Sequence, residues 1–170
     1  MKEIEVKILE INREELEEKL VSMGAKKVFD NEIYGLFFRI EGIENKDTLR
    51  LRKEGEETFL TLKKYIPNTT VKTRDEYEVK VSDFETARTI LDLLGAKEYA
   101  TIRKHRTSYE LSDAHIEFDK YLDEYEFVPE FLEIEAKNEK TVFHIAKKLG
   151  FQPEECLPIN TKEVIKTYSR

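Results

Sequence analysis

The sequence predicts an α+β fold made mainly of antiparallel β-strands, with eight strands closed into a barrel and helices flanking it. Most segments alternate apolar and charged residues with period two, while a few shorter segments place apolar residues at helical spacing. Nearly every strand-like segment backs a charged row with an apolar one. Because helices need apolar sheet surface to pack against, we expect the apolar rows outside and the charged rows inside the barrel.

An open sheet with one solvated face would explain the alternation of any single strand equally well. The signs of the charges favour the barrel, because the charged rows of several strands are mainly basic and those of others mainly acidic. A solvent-exposed face would need no such separation, because rows with both positive and negative residues are solvated equally well. Burying unpaired ions costs several kcal/mol each, so a charged interior should be wet and should hold a charged ligand.

Helices are predicted where helical spacing ends at a glycine, at about 13–23 before Gly24, in a second segment before Gly95, and at about 139–149 before Gly150. Capping boxes starting at Asn12 and Ser82 begin the first two helices. Both follow a Glu-Val-Lys strand and lead into Gly-Ala-Lys, which indicates an internal repeat offset by about 70 residues.

Eight strands are predicted, at 2–10, 33–41, 47–54, 57–66, 72–81, 100–111, 114–121 and 130–137. The basic rows hold Arg50, Arg52, Lys63, Lys104 and Arg106. The acidic rows hold Glu3, Glu5, Glu117, Asp119, Glu133 and Glu135. One strand mixes both signs on one face, with Arg74, Glu76, Glu78 and Lys80.

Composition limits the class of protein. With 170 residues and no Pro-rich or Gly-rich linker, the chain is expected to form one domain over 1–170. The net charge of -7 argues against general binding to nucleic acid or anionic membranes. The single cysteine, Cys156, allows neither an internal disulfide nor a thiolate zinc site, and no segment resembles a signal or membrane span. We therefore expect a cytoplasmic protein without nucleic-acid or membrane partners.

The charged rows indicate the kind of ligand. Several Lys and Arg side chains converging on one volume suit a polyanion, and guanidinium groups suit phosphate oxygens in particular. Neighbouring carboxylates would repel that anion unless a divalent cation bridged them, and all-carboxylate ligand sets favour hard ions such as Mg²⁺, Mn²⁺ or Ca²⁺. A polyphosphate, a divalent ion and a basic cradle together indicate phosphoryl transfer.

The order and spacing of these motifs resemble the CYTH family, also called triphosphate tunnel metalloenzymes, over almost the whole chain. The motifs are Glu3-x-Glu5-x-Lys7, Arg50-x-Arg52, Lys63, Arg74-x-Glu76-x-Glu78, Lys104-x-Arg106, Asp119 and Glu133-x-Glu135. That family includes class IV adenylate cyclases, thiamine triphosphatases and inorganic triphosphatases. The resemblance implies an eight-stranded tunnel open at both ends, with a triphosphate inside.

The resemblance also implies roles for individual residues. The triphosphate would be bound by Lys7, Arg50, Arg52, Lys63, Arg74, Lys104 and Arg106. Mg²⁺ or Mn²⁺ would be held by carboxylates drawn from Glu3, Glu5, Glu76, Glu78, Asp119, Glu133 and Glu135. The catalytic candidates are Glu5 and Glu78, which would position or activate water, and Lys7, which would contact a phosphate or orient the attacking group.

Other charged residues are expected to be structural. Lys80, and as an alternative role Arg74, would neutralise Glu76 and Glu78 across the sheet, and Glu117 would lie at the tunnel mouth. Lys162 is the nearest counterpart of a late family motif and would be a tunnel-closing cation. Three histidines are expected at the surface or in structural positions, namely His105, His115 and His144.

The function that follows is metal-dependent hydrolysis of inorganic triphosphate, a nucleoside triphosphate or thiamine triphosphate. The alternative is a class IV adenylate cyclase, which converts ATP to cyclic AMP and pyrophosphate. Segment 34–46 lacks the His and Pro often found in those cyclases, and no adenine pocket is evident in the sequence. A non-catalytic module that binds polyphosphate or nucleotides is the third option. The resemblance leaves a homodimer, formed through the barrel exterior, as an open option.

Overall fold

Eight strands and four helices follow one another along the chain in the computed structural model, which describes residues 2–67 and 70–169. The strands are β1 (Lys2–Ile8), β2 (Lys26–Arg39), β3 (Thr48–Glu54), β4 (Glu57–Ile66), β5 (Lys72–Val81), β6 (Lys97–Leu111), β7 (Ala114–Tyr121) and β8 (Phe131–Ala136). The helices are α1 (Arg13–Ser22), α2 (Phe84–Leu93), α3 (Glu139–Leu149) and α4 (Thr161–Tyr168). Single turns of 3₁₀-helix lie at Asp123–Tyr125 and Pro153–Glu155.

The strands form one closed barrel in the order β1-β5-β4-β3-β2-β6-β7-β8, and every neighbouring pair is antiparallel. The predicted fold class is therefore confirmed. Exchanging β1–β4 with β5–β8 maps this circular order onto itself. The repeat in the sequence thus corresponds to a two-fold pseudo-symmetry of the topology, with α1 and α2 as equivalent helices.

The apolar rows pack outwards against the helices, as expected from the alternation. α1 and α3 cover β1, β7 and β8, where Val6, Ile134 and Leu20 are fully buried in one cluster. α2 covers β2 and β3 in a second cluster around Leu36 and Leu51. Burying each large aliphatic side chain contributes about 1.5–3 kcal/mol, so these contacts hold the helices on the barrel and leave its interior to the charged rows.

The first helix begins at its predicted cap and the third spans the predicted residues, but the second helix does not begin at its predicted cap. The Asn12 side chain accepts a hydrogen bond from the backbone N–H of Glu15, and α3 spans Glu139–Leu149 as predicted. The predicted cap of α2 at Ser82 is wrong, because Asp83 takes that position and its Oδ1 accepts from the N–H of Thr86 at 2.7 Å. A carboxylate serves well there, since it also faces the positive end of the helix dipole.

Asp83→Ala is therefore expected to lower the melting temperature by about 2–4 °C, because it removes the α2 cap. Ser82→Ala should change it by much less, since Asp83 supplies the capping oxygen. Thermal unfolding followed by circular dichroism measures both. A larger loss in the Ser82 variant would contradict the assignment of the cap.

Two strands are longer than predicted. β2 begins at Lys26 instead of 33, and β6 at Lys97 instead of 100. The extra residues of β2 pair with the far end of β6, from Lys26 opposite Glu110 to Glu32 opposite His105. Most of them are polar and exposed, so their apolar alternation is weak. They pair with β6 nevertheless, with an irregularity of the register between Lys27 and Phe29.

The fourth helix was not predicted. Val164 on α4 is fully buried in a third cluster with Ile102, Tyr121 and Phe131, while Ile165 packs against its edge. α4 therefore lies across one end of the barrel, which differs from the expectation of two open ends. None of the helices among the described residues is long and apolar enough to cross a membrane.

Candidate functional site

A cavity of about 970 Å³ occupies the barrel interior, and inward-facing residues of all eight strands line it. Every residue assigned from the sequence to substrate, metal or catalysis is among them. The prediction that Glu3, Glu5 and Lys7 point inwards thus holds in the structure, where their side chains are buried inside the barrel.

The cavity is positively charged although the protein is acidic. Of the residues that the structure describes, eleven Lys and Arg line it, against nine Asp and Glu, whereas the whole chain carries a net charge of -7. This excess of positive charge concentrated in the interior attracts anions to the cavity.

Three carboxylates form a close group at one end of the cavity. Glu3, Glu5 and Glu135 each offer one oxygen, and these oxygens lie within 4.8 Å of one another. Burial, and then the negative charge of Glu3, raise the pKa of Glu135 to about 9. Crowded, buried carboxylates of this kind fit a hard divalent cation, which takes oxygen ligands and offsets their repulsion.

Two lysines neutralise the innermost carboxylate of this group. Lys7 Nζ donates to Glu5 Oε1 at 2.8 Å, and Lys72 Nζ donates to the same oxygen. Burial alone would raise the pKa of Glu5, but these two ammonium groups hold it well below its usual range. Lys7 also lies 3.0 Å from Glu133, so despite its burial the two carboxylates raise its pKa. Glu5 and Lys7 are therefore both ionised at neutral pH.

Asp119 is the centre of a second charged group. It accepts from Lys104 at 2.6 Å and from Arg106 at 2.7 and 2.6 Å, and it is 1% exposed. Burial would raise the pKa of Asp119, but the cations lower it strongly. Arg106 also pairs with Glu117 and with Glu133. Burial, and then repulsion from Arg106, lower the pKa of Lys104 to about 8.

Three arginines in the cavity have no carboxylate within 4.0 Å among the residues that the structure describes, namely Arg39, Arg50 and Arg74, whereas Arg52 pairs with Glu54 and Glu78. Arg50 Nε, like Arg52 Nε, is shielded from solvent and has no hydrogen-bond partner there. Burial, and then the charges of Arg52 and Arg106, lower the pKa of Arg50 to about 10. Arg74 is 7% exposed and lies 4.8 Å from the ring of Tyr65. Unpaired guanidinium donors in a positive cavity are suited to phosphate oxygens.

The seven predicted metal ligands do not all come together. Besides Glu3, Glu5 and Glu135, the other four each contact a cation of the wall. Glu76 lies 3.3 Å from Lys63, Glu78 accepts from Arg52 at 3.0 Å and from Thr61 at 2.8 Å, and Asp119 and Glu133 pair with cations as described above. In this arrangement those four neutralise the basic rows.

Some predicted structural roles need correction. Lys80 pairs with Glu57 at 2.5 Å near the surface instead of with Glu76 or Glu78, because its side chain lies beyond the cavity lining. His115 is exposed as expected, but it lies on β7, where it shares a strand face with Glu117 and lines the cavity rim. As expected, His105 is partly exposed, 3.3 Å from Asp30, and His144 is exposed on α3.

The structure adds cavity residues that sequence reasoning missed. The main ones are Arg39, Lys46, Tyr65, Lys72 and Tyr99. Lys72 could have been found, because it shares the strand face of Arg74 by period two. Arg39, Lys46 and Tyr99 come from strand ends and a loop, where alternation gives no signal. Lys162 does line the cavity, as proposed from the sequence.

The comparisons with known proteins agree with this architecture. A family model described as the CYTH domain matches residues 1–168. A Methanocaldococcus jannaschii protein named "putative adenylate cyclase" is 34% identical over 138 residues, which are 79% of this chain and 77% of that protein. A solved structure from Pyrococcus horikoshii superposes with a TM-score of 0.81 at 26% identity, covering 95% of this chain and 98% of its own.

A Hippeastrum structure shares the fold with a TM-score of 0.65 at 16% identity, covering 97% of this chain and 95% of its own. The family model spans nearly the whole chain, and the archaeal relative supports the same assignment over most of it. The barrel with its charged interior is the structure that the sequence resemblance implied. The chain therefore belongs to the CYTH family.

Proposed function

We propose that this protein is a metal-dependent triphosphatase. Membership of the CYTH family supports an enzyme of the triphosphate-tunnel type. The observation that carries the proposal is the unpaired state of Arg50 in a cavity that also holds three crowded carboxylates. A triphosphate would supply the anionic oxygens that Arg50 lacks. A divalent cation would offset the repulsion among Glu3, Glu5 and Glu135, of which Glu3 already contacts Lys63 and Glu5 contacts two lysines.

The basic rows would bind and orient the triphosphate. Arg50, Arg52 and Arg74 offer guanidinium donors, while Lys63, Lys104 and Arg106 would share theirs between their present carboxylates and the phosphate oxygens. Holding a substrate in line for attack and neutralising its charge account for most of the catalysis in phosphoryl transfer.

Glu3, Glu5 and Glu135 would hold the divalent ion, Mg²⁺ or Mn²⁺. Such an ion supplies Lewis-acid stabilisation of phosphoryl oxygens when it is bound. Glu5 is our candidate for orienting the attacking water, since it is ionised and fixed by two lysines. Lys7 would hold Glu5 and contact a phosphate oxygen. Glu78, bonded to Arg52 and Thr61, is the second candidate for positioning water.

Adenylate cyclase activity is the second candidate function. The name of the Methanocaldococcus jannaschii relative favours it. A cyclase name does not decide the reaction, however, because the Hippeastrum structure is described as an adenylyl cyclase candidate with a dominant triphosphatase activity. In cyclisation the ribose 3′-hydroxyl would replace water as the nucleophile and pyrophosphate would leave.

One assay separates the two reactions. The protein is incubated with ATP, inorganic triphosphate or thiamine triphosphate and with Mg²⁺ or Mn²⁺, and orthophosphate, pyrophosphate and cyclic AMP are measured. We expect orthophosphate from at least one of these substrates. Cyclic AMP formed as fast as ATP disappears would establish the cyclase instead.

Glu5→Gln is expected to lower kcat about 100-fold or more, since it removes the ionised oxygen that two lysines and the proposed ion share. Glu57→Gln, which alters an exposed carboxylate outside the cavity, is the control. Steady-state kinetics measures turnover, and calorimetry checks that triphosphate still binds. A Glu5 variant that turns over normally would remove Glu5 from the mechanism. If the wild type binds triphosphate but never cleaves it, the protein is a binding module.

A further inference from the structure

One sector of the outer barrel surface lacks the helix that covers its counterpart. α3 follows β8 and packs over β8 and β1. In the pseudo-symmetry of the topology, β4 corresponds to β8 and β5 to β1. β4 is instead followed by a short connection to β5, the segment 67–71, and in the described ranges no helix packs along both strands. α2 reaches only the end of β5, at Val81, so much of the outer face of β5 is exposed.

Apolar side chains point outwards from this sector. Leu62 lies directly opposite Tyr77 across β4 and β5, and Leu60 lies opposite Val79. Leu60 and Leu62 are partly buried at the edge of the second core cluster. Tyr77 is 59% and Val79 55% exposed, and neither belongs to a core cluster of the described residues. The sheet surface is therefore apolar here but open to solvent.

The flank of α2 that faces this sector is apolar as well. Arg88 pairs with Glu98 of β6 at 2.9 Å, which places the charged flank of α2 on the side of β6. By helical spacing Ile90 and Leu94 lie on the opposite flank, towards β4 and β5, and both are more than half exposed. Leu93 is 81% exposed beside them. We call five residues the apolar patch, namely Tyr77, Val79, Ile90, Leu93 and Leu94.

We propose that the apolar patch is the contact surface of a homodimer, in which the same patch of a second copy packs against it. Each of the five side chains is more than half exposed, so at about 50–100 Å² each they offer on the order of 400 Å² of apolar surface per copy. A standard interface buries about 800 Å² per partner and surrounds an apolar core with a polar rim. The patch therefore has the size of such a core.

Charge favours a second copy over other occupants. The five side chains are uncharged, so two chains of net charge -7 can meet there without repulsion inside the contact. The rim carries both signs, since Lys64 lies opposite Asp75 on the outer faces of β4 and β5. A two-fold axis brings the same rim against itself, so each sign can meet the other. An anionic membrane would instead select a mainly basic rim.

The dimer contact would lie directly behind the cavity wall. Tyr77 and Val79 alternate along β5 with Glu76 and Glu78, which line the cavity. The second copy would thus cover the outer side of the two strands whose inner side also carries Lys63. This inference goes beyond the proposed triphosphatase activity and holds whichever reaction the protein catalyses.

Sedimentation velocity of the full chain tests the inference, from about 1 to 100 µM because an apolar core of this size suits micromolar association. We expect the wild type to be dimeric at the upper end of this range. Val79→Lys should weaken association about tenfold or more, since the two-fold axis places the added charge in the contact twice. Val28→Lys is the matched control, because Val28 is a 49% exposed valine on β2, outside the patch, and this variant should dimerise like the wild type.

Leu94→Glu provides a second variant, on the helical part of the patch, and should also weaken association. Circular dichroism verifies that each variant is folded. A wild type that stays monomeric up to the highest concentration overturns the inference. So does a dimer that both the Val79 and the Leu94 variants retain, because its contact would then lie elsewhere on the barrel, and so does an equal loss of association in the Val28 variant.

Discussion

Arg50→Ala is expected to lower kcat/KM for triphosphate hydrolysis about 100- to 1,000-fold, the range seen when one preorganised charge-stabilising donor is removed. Arg50 lies on the inward face of β3 in the positive cavity, and it has no carboxylate partner in the described part of the chain. Its charge is therefore available to the substrate without breaking an ion pair, unlike that of Lys104 or Arg106.

The same substitution should not lower the stability of the ligand-free protein. Burial and the neighbouring charges of Arg52 and Arg106 already lower the pKa of Arg50 to about 10, so the folded state disfavours this charge. Removing the side chain relieves that repulsion and one unsatisfied buried N–H. Inorganic triphosphate should raise the melting temperature of the wild type more than that of the variant, because only a ligand that binds the folded state stabilises it.

Lys80→Ala is the control, because it also removes a basic side chain from a strand of the barrel. Lys80 shares a face of β5 with Arg74 by period two, but it pairs with Glu57 near the surface. Its kinetics should resemble those of the wild type. Steady-state kinetics and thermal unfolding with and without triphosphate measure these effects. Destabilisation of the ligand-free Arg50 variant would contradict the predicted effect on stability. An equal loss of activity in the Lys80 variant would contradict a specific substrate role for Arg50.

The barrel could be predicted because apolar and charged residues alternate with period two along its strands. Glu3, Glu5 and Lys7 alternate with apolar residues that pack under α1 and α3, so parity alone assigns each side chain to a face. Closure of the sheet into a barrel was expected because the helices cover the apolar rows, which leaves the charged rows to face the interior. This reasoning placed the proposed site residues in one cavity without any knowledge of strand order.

The pairing of charges inside the cavity could not be predicted in the same way. The alternation places Arg50 and Arg106 on inward faces, but it cannot show that Arg106 contacts three carboxylates while Arg50 contacts none within the described ranges. Those contacts depend on strand order and register, for example on Arg106 lying opposite Asp119 across β6 and β7. The selection of Glu3, Glu5 and Glu135 as the close group depends on the same long-range register.

α4 is a case in which a usable signal was present. Asn160 followed by Glu163 forms a capping box, in which Asn160 Oδ1 accepts from the N–H of Glu163 and the Glu163 carboxylate accepts from the N–H of Asn160. The helix has only eight residues, too few to be stable alone, so its formation depends on the burial of Val164 against the barrel end.

Asp119→Ala should produce the largest loss of stability among the cavity variants, about 3–5 kcal/mol in the free energy of unfolding. The substitution leaves Lys104 and Arg106 buried without the carboxylate that both contact, in a cavity where the neighbouring charges are already paired. Glu57→Ala breaks an ion pair that is more than half exposed and should have little effect. Urea unfolding at pH 7 measures the difference.

The pH dependence gives an independent check on Asp119. Its pKa in the folded protein lies below its usual value of 3.8, so the carboxylate stabilises the fold above that value. The contribution begins to fall below about pH 4 and is lost as the pH passes through the folded pKa. Asp119→Asn lacks this group, so the stability gap between wild type and variant should narrow as the pH falls from 5 to 3. A gap that stays constant over that range would show that Asp119 does not hold the two cations through its charge.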